Sequence, residues 1–451
     1  MLAKDPHDSW QLSVPPLLCT YSTACTFSIL SHVFLSFDGA TYLFAFLNVA
    51  TTNLYSSAKA EKGIQSDKAE SVVRTSSRVA FRCGLGIMTF LLVFSRPLLE
   101  LYMGSQAAAT PGLLDSATDY VKIRALSLPT SLLLGVLQAA LLGAQDSVTP
   151  LIAIVYCTVV NVVMDYVLVN RVGWGMQGAA IATTFAQWAA TAALIPAAKR
   201  KLLKTRKLEL WKKRKAGKDG VTGKTFLSFA APVLTLILGK LAAYGFMTNT
   251  AAGVPGQPIP LAAHQIILSL LFACAPFLEV LSQTAQTFLP QYLAPARKLK
   301  GEAAEPWIAA GQKVATNLLG MSVFIAGSVA SLAALVPAYF GNWITTDTVV
   351  QKAIQPMAKY LWFGAFIWAP IAVSEGVLLG RLQLGFLATI YLLSTALLPP
   401  ALLQIKFRGG SVEHVWAAFC VFQLFRALTF TGRIWGGYAL RRKPKRSAAK
   451  P

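Results

Sequence analysis

Eleven long apolar runs follow one another along the chain, near residues 28–57, 79–102, 123–143, 149–170, 177–198, 225–250, 261–290, 313–340, 355–380, 384–405 and 412–438. A helix needs about 20 apolar residues to cross the hydrocarbon core of a bilayer, and most of these runs reach that length. Gly and Pro interrupt the runs without ending them, as spanning helices tolerate. The pattern predicts an all-α polytopic membrane protein. One polar insertion breaks the rhythm: residues 199–224, KRKLLKTRKLELWKKRKAGKDGVTGK, carry twelve Lys or Arg and two acids. It reads as a loop between an N-lobe over 28–198 and a C-lobe over 225–440, with 1–27 as an N-terminal segment and 441–451 as a basic tail.

If the 199–224 loop lies on the inner face, alternation of spans assigns a side to every other loop. The inner loops, the linker and the tail from Arg433 together hold thirty Lys or Arg. The opposite loops hold only Lys122, Arg124, Arg171, Lys352, Lys359, Lys406 and Arg408. Such an excess on one side is the positive-inside pattern, and one missed or added span would scramble it. Linker and tail are therefore expected on the same face. Thiol labelling of single cysteines introduced at Gly217 and Ala448 checks this, and labelling from opposite faces would overturn the segmentation.

Composition narrows the class further. Of 451 residues, 55% are hydrophobic and 13% charged, where a soluble domain carries about 25% charged residues. So little polar side chain cannot coat two or three soluble cores, and disorder or a collagen-like chain is excluded on the same grounds. The net charge of +22 would suggest nucleic acid on a soluble protein. Here the basic residues sit between apolar runs, no nucleic-acid motif accompanies them, and contact with anionic membrane lipid is the simpler reading. The six cysteines form no C-x-x-C and the four histidines no H-E-x-x-H. No metal site, disulfide or cofactor is implied.

The two halves repeat. Leu141-Leu142-Gly143 recurs as Leu378-Leu379-Gly380, Gly173 recurs as Gly409, and Thr51 and Asn53 correspond to Thr284 and Gln286. The offsets of 237, 236 and 233 are nearly equal and fall in order. Parallel repeats about an axis along the membrane normal are a transporter architecture, with substrate expected between the lobes near the midplane. The same offset carries Phe226, which opens the second half, to about position −7, while residues 1–20 hold Lys4, Asp5, Asp8 and three prolines. The symmetry thus predicts a twelve-span protein that lacks span 1. The remaining spans are numbered 2 to 12.

Several stretches resemble the multidrug and toxic compound extrusion (MATE) family. Gly173-Trp174-Gly175-Met176-Gln177-Gly178-Ala179-Ala180-Ile181-Ala182-Thr183 is similar to that family's start of span 6. It follows a membrane helix and not a strand, so its glycines suit close helix packing better than a dinucleotide. Leu261-Ala262-Ala263-His264-Gln265-Ile266 and Ser282-Gln283-Thr284-Ala285-Gln286 also match, and the latter with Thr287-Phe288-Leu289-Pro290 resembles the plastid-envelope branch of plants and algae. The resemblance covers residues 28–440. It implies two six-helix lobes around a V-shaped cleft, a monomeric membrane protein of the plastid envelope, and multidrug efflux of small organic substrates in exchange for H⁺ or Na⁺. Family members commonly carry an acid in span 1, the span that the symmetry finds missing.

Polar residues inside spans are the candidate site. Asn161 and Asp165, spaced i, i+4, share a face of span 5. An intramembrane carboxylate is costly and faces a cavity or a partner. The repeat fills these positions with Leu397 and Ala401, so the fold does not demand the pair. The resemblance adds Thr183 and implies a first-lobe cation or proton site; the alternative is an Asp165 that hydrogen-bonds its neighbours and locks the lobe. Glu279 is read either as a proton or cation group of the second lobe or as a buried acid paired with Lys240, and Gln283 as a cleft residue or a cross-helix bond. His264 is read as a packing residue or a relay. Asp38 and Glu375 are weaker candidates, Glu375 with Arg381 as a snorkelling partner. Arg426 meets either an anionic substrate or an acid elsewhere.

The leading function is a secondary antiporter that moves by rocking its lobes. A non-transporting member, motivated by the missing span, and a major-facilitator carrier are the alternatives. The usual charged signature of that carrier class is not matched by Lys59-Ala60-Glu61-Lys62-Gly63. An integral-membrane enzyme would need clustered His, Asp or Cys at the membrane boundary, and the sequence offers none.

Overall fold

The structure is a computed structural model that describes residues 43–64, 66–103, 113–203, 221–299 and 301–436. Its helices are α1 (Ala45–Lys62), α2 (Asp67–Met103), α3 (Leu113–Ala125), α4 (Leu128–Gly143), α5 (Val148–Asp165) and α6 (Gly175–Leu202) before the linker. After it come α7 (Gly223–Ala252), α8 (Ile259–Phe288), α9 (Pro290–Lys298), α10 (Glu305–Tyr339), α11 (Thr348–Ile354), α12 (Ala358–Gly380), α13 (Leu384–Phe407) and α14 (Val412–Thr431). Among the described residues nine helices are long and apolar enough to cross a membrane, or ten with α3 and α4 joined across their 47° bend. With α1, each of the eleven apolar runs overlaps a helix among the described residues.

Two starts differ from the hydropathy pattern. The helix of span 3 begins at Asp67, twelve residues before its apolar run. Its polar first turns are stabilised locally by the Glu70–Arg74 pair at i, i+4 and are buried at Ser76 and Ser77. The supposed loop after span 8 contains α9, which packs against α1. Burial against other helices, not apolar composition, fixes both.

Helices before the linker pack chiefly on one another, α2 and α1 on α4 and α5 on α6; after it α8, α10 and α14 surround α12, and α7 lies along α13. The repeat is visible in the backbone. Gln145 and Leu382, 237 apart, both take the left-handed conformation that non-glycine residues seldom adopt (φ 67° and 58°). Gly173 and Gly409 do likewise (φ 80° and 65°), each ahead of its lobe's last long helix. On α13 the face buried against α7 includes Tyr391, Leu398 and Leu402. Its repeat positions Val155 and Val162 on α5, and Tyr166 directly after it, are exposed. The position equivalent to α7 would precede residue 43, outside the described residues.

Close approach of α8 and α12 depends on one glycine. A Cβ at Gly376 would stand 2.5 Å from the Ser282 carbonyl oxygen and 2.9 Å from the Ala285 Cβ. Gly376→Ala should therefore push these helices apart and destabilise the protein by about 1–3 kcal/mol, the usual cost of overpacking. Gly327→Ala, where a Cβ meets nothing within 4 Å, should be neutral or better, as Ala is the stronger helix former. Thermal unfolding of both variants in detergent checks the pair.

Candidate functional site

Every residue from Ile371 to Gly380 on α12 is buried, and Glu375 sits among them. A carboxylate there requires partners. Lys240 on α7 reaches across with its Nζ 2.9 Å from Glu375 Oε2, and the Tyr391 hydroxyl on α13 donates to the other carboxylate oxygen. The same Nζ lies 3.4 Å from Glu279 Oε1 on α8, which also accepts from the Trp368 indole N–H at 3.1 Å. From α14, Arg426 donates to Gln423 and places its guanidinium over the rings of Tyr391 and Phe422. Four of these helices, α7, α12, α13 and α14, line one small pocket that includes Lys240, Tyr244, Trp368, Glu375, Tyr391 and Arg426. Its free space is about 10 Å³, room for about one water molecule.

The first-half pair is simpler. The Asn161 amide donates to Thr183 Oγ1 at 3.3 Å, which joins α5 to α6, and Thr183 in turn donates to the Ala179 carbonyl. Asp165 stands one turn further along α5, and its Oδ1 is buried with no hydrogen-bond partner among the described residues. Nearby on α6, Gln187 accepts from Arg124 and Ser131 and ties α6 to the bend between α3 and α4.

Of the residues singled out in sequence, Asn161, Thr183 and Asp165 come together, as do Glu279 and Glu375. Glu279 does pair with Lys240. Glu375 takes Lys240 and Tyr391, not Arg381; Arg381 turns instead to Gln312. His264 is fully buried, accepts from the Trp416 indole at Nδ1 and meets Thr248 Oγ1 at Nε2, away from the pocket. Gln283 is exposed, whereas Gln286, three residues on, is buried. Asp38 lies outside the described residues. Tyr391 and Trp368 were not distinguishable in sequence from the many other aromatics.

Among the described residues, hydrogen bonds join the halves on one face. Asn53 Nδ2 donates to Gln286 Oε1 at 2.7 Å, and Ser56 Oγ donates to the Gln286 carbonyl at 3.0 Å. Asn53 and Gln286 are repeat equivalents, so the contact joins each half to its own counterpart. Gln145 donates to Gln291 at 3.1 Å, and the end of the linker is pinned to α2 where Val221 bonds Ser71 and Thr75. These bonds lie at the ends of α1 and α8, the start of α2 and the loops beside them, all on the linker side.

This is the fold of a two-lobe membrane transporter, and comparison with known proteins agrees. The family model described as MatE matches residues 30–167. The chain is 27% identical over 396 residues to Protein DETOXIFICATION 47, chloroplastic, of Arabidopsis thaliana, covering 86% of this chain and 67% of that protein. It superposes on the crystal structure of the eukaryotic MATE transporter AtDTX14 with a TM-score of 0.73 at 16% identity, covering 93% of this chain and 88% of that one. A MOP superfamily transporter from Pyrococcus furiosus gives 0.76 at 15% identity, over 92% and 88%. The chain has the fold of these transporters and is an integral membrane protein.

Proposed function

We propose that the protein is a secondary active transporter that exports small organic compounds in exchange for H⁺ or Na⁺, by rocking of the lobes 28–198 and 225–440 about the cleft between them. The observation that carries this reading is that, among the described residues, the hydrogen bonds between the lobes lie on the linker face. Bonds on one face close the cleft there and leave it to open on the other, and alternating access then requires them to break. Chloroplastic localisation of the DETOXIFICATION relative supports a plastid-envelope site for this chain as well.

The buried Asp165 oxygen supports a coupling role. A carboxylate oxygen without a donor is costly in the membrane interior, and a bound proton or small cation removes that cost. Asn161, one turn away on α5, and Thr183, bonded to it from α6, supply further oxygens. Asp165→Asn is expected to abolish gradient-driven transport of the full-length chain while expression and insertion stay near normal. Uptake into proteoliposomes under an imposed ion gradient checks this. Unchanged coupled uptake would rule out the coupling role, and loss of folded protein would favour the structural lock.

The second-half pocket supports substrate or ion recognition from the opposite lobe. In the described state it holds about one water, too little for an organic solute. Substrate must therefore enter as α7, α12 and α14 separate during the cycle.

A further inference from the structure

The two halves turn the same corner on the linker face and neutralise it differently. In the first half, cations around the turn after α4 find acceptors of their own. Lys59 donates to the Ala144 carbonyl at 2.7 Å, and Lys201 at the end of α6 pairs with Asp146 at 2.6 Å. The repeat offset of 237 carries Asp146 to Gln383, in the turn after α12. There Arg297 of α9 takes the part of Lys59 and donates to the Gly380 carbonyl at 2.9 Å. Arg433, after α14, takes the part of Lys201 but meets only the neutral side-chain oxygen of Gln383, at 3.2 Å. A third cation, Arg381, stands where the first half has Ala144. The second-half corner has gained an arginine and lost the acid of its counterpart.

Among the described residues each of these three arginines bonds a neutral oxygen and none a carboxylate. Glu61 acts on Arg297 through space, but its own ion pair is with Lys68. Gln312 on α10 makes the deficit specific. It is 3% exposed, its Oε1 accepts from Arg381, and its Nε2 has no acceptor among the described residues. Arginine only donates, so the bond from Arg381 fixes which end of the amide is the oxygen. A buried amide donor without an acceptor is costly. Beside it stands a guanidinium, whose paired donors match the oxygens of an anion. We infer that the corner formed by Arg297, Gln312, Arg381 and Arg433 is a binding site for a phosphate-bearing anion, with Arg381 and Gln312 as its innermost donors. Basic pockets between helices on the positive side of a membrane suit the head group of an anionic phospholipid. Leu382, 42% exposed in the same turn, adds an apolar contact beside that head group. The inference does not depend on the transport reading.

Purified full-length protein in neutral detergent is titrated calorimetrically with dihexanoyl phosphatidylglycerol, dihexanoyl phosphatidylcholine and sodium phosphate. Phosphatidylglycerol, inorganic phosphate or both should bind at least about tenfold more tightly than phosphatidylcholine. Tight binding of phosphatidylglycerol alone supports the site with a lipid head group as its ligand, and phosphate bound as tightly supports it with the free anion. Arg381→Gln should weaken binding about tenfold or more, the scale of a lost charge-assisted hydrogen bond. Gln383→Asp returns the acid of the first-half corner and should weaken binding at least about threefold, by giving Arg433 a carboxylate of the protein. If Arg381→Gln does not fold, Gln383→Asp carries the test. Lys224→Gln, at an exposed cation of the same face outside the corner, should stay within about twofold, since diffuse attraction to a basic surface is weak and screened. Phosphatidylcholine binding as tightly as the anions, binding of none of the three, wild-type affinity in Gln383→Asp, or an equal loss in Lys224→Gln would overturn the inference.

Discussion

Tying position 53 to position 286 should arrest transport while the protein stays folded. Asn53 and Gln286 bond at 2.7 Å across the interface of the two halves, beside the Ser56 bond to the same residue. If the lobes rock, this contact must part once per cycle. Asn53→Cys and Gln286→Cys, in a chain whose other cysteines are replaced, would be bridged with a short bifunctional thiol reagent containing a reducible bond. Uptake into proteoliposomes should fall to background after bridging and return on reduction, and the unbridged double variant should retain most of its uptake. Undiminished transport by the bridged protein would show that the lobes need not separate at this face. The expectation is specific to the linker side, because the Gln145–Gln291 bond between the lobes and the Val221 bonds of the linker to α2 lie on the same face.

The largest stability effect is expected at Lys240. One ammonium serves two carboxylates, 2.9 Å from Glu375 and 3.4 Å from Glu279, with its own side chain 14% exposed. Lys240→Met removes the hydrogen-bonded ammonium from the 5%-exposed Glu375 side chain, and breaking a buried pair from one side typically costs about 3–5 kcal/mol. Adding Glu375→Gln should restore most of that loss, since the stranded charge is then gone and the amide can still accept from Tyr391. Unfolding midpoints in detergent for the two single variants and the double variant test this. If the double variant is as unstable as Lys240→Met, the ammonium matters for packing and not for charge. Such non-additivity is the signature of groups that share one network.

The spans were legible because hydrocarbon permits little else: with no water for the backbone, long apolar runs become helix. What hydropathy missed was buried without being apolar. The polar start of α2 owes its place to the Glu70–Arg74 pair and to the linker end against Ser71 and Thr75, and α9 to its packing on α1. The first-half site was legible in part, since an i, i+4 spacing puts Asn161 and Asp165 on one face whatever the tertiary structure. The second-half site was not. Arg381 is six residues from Glu375 but points to Gln312, while the true partner Lys240 is 135 residues away. Sequence distance carries no information about that choice. The repeat offsets carried contact information: the Thr51–Asn53 and Thr284–Gln286 match marks equivalent positions, and two of those residues touch. Two repeats facing each other across an axis bring equivalent residues together near it, so a polar pair preserved at the offset points to an interface contact.

Gradient-driven movement of solute tests the central claim most directly. The purified full-length chain, reconstituted in liposomes, is loaded with radiolabelled phthalate or tetraphenylphosphonium, and release is followed with an imposed H⁺ gradient, an imposed Na⁺ gradient, or neither. The account predicts that release of at least one probe is driven by one of the two gradients, goes on against the probe's own gradient, and is lost in Asp165→Asn. Release that is the same with and without either gradient, or none above protein-free liposomes for any probe, would contradict it.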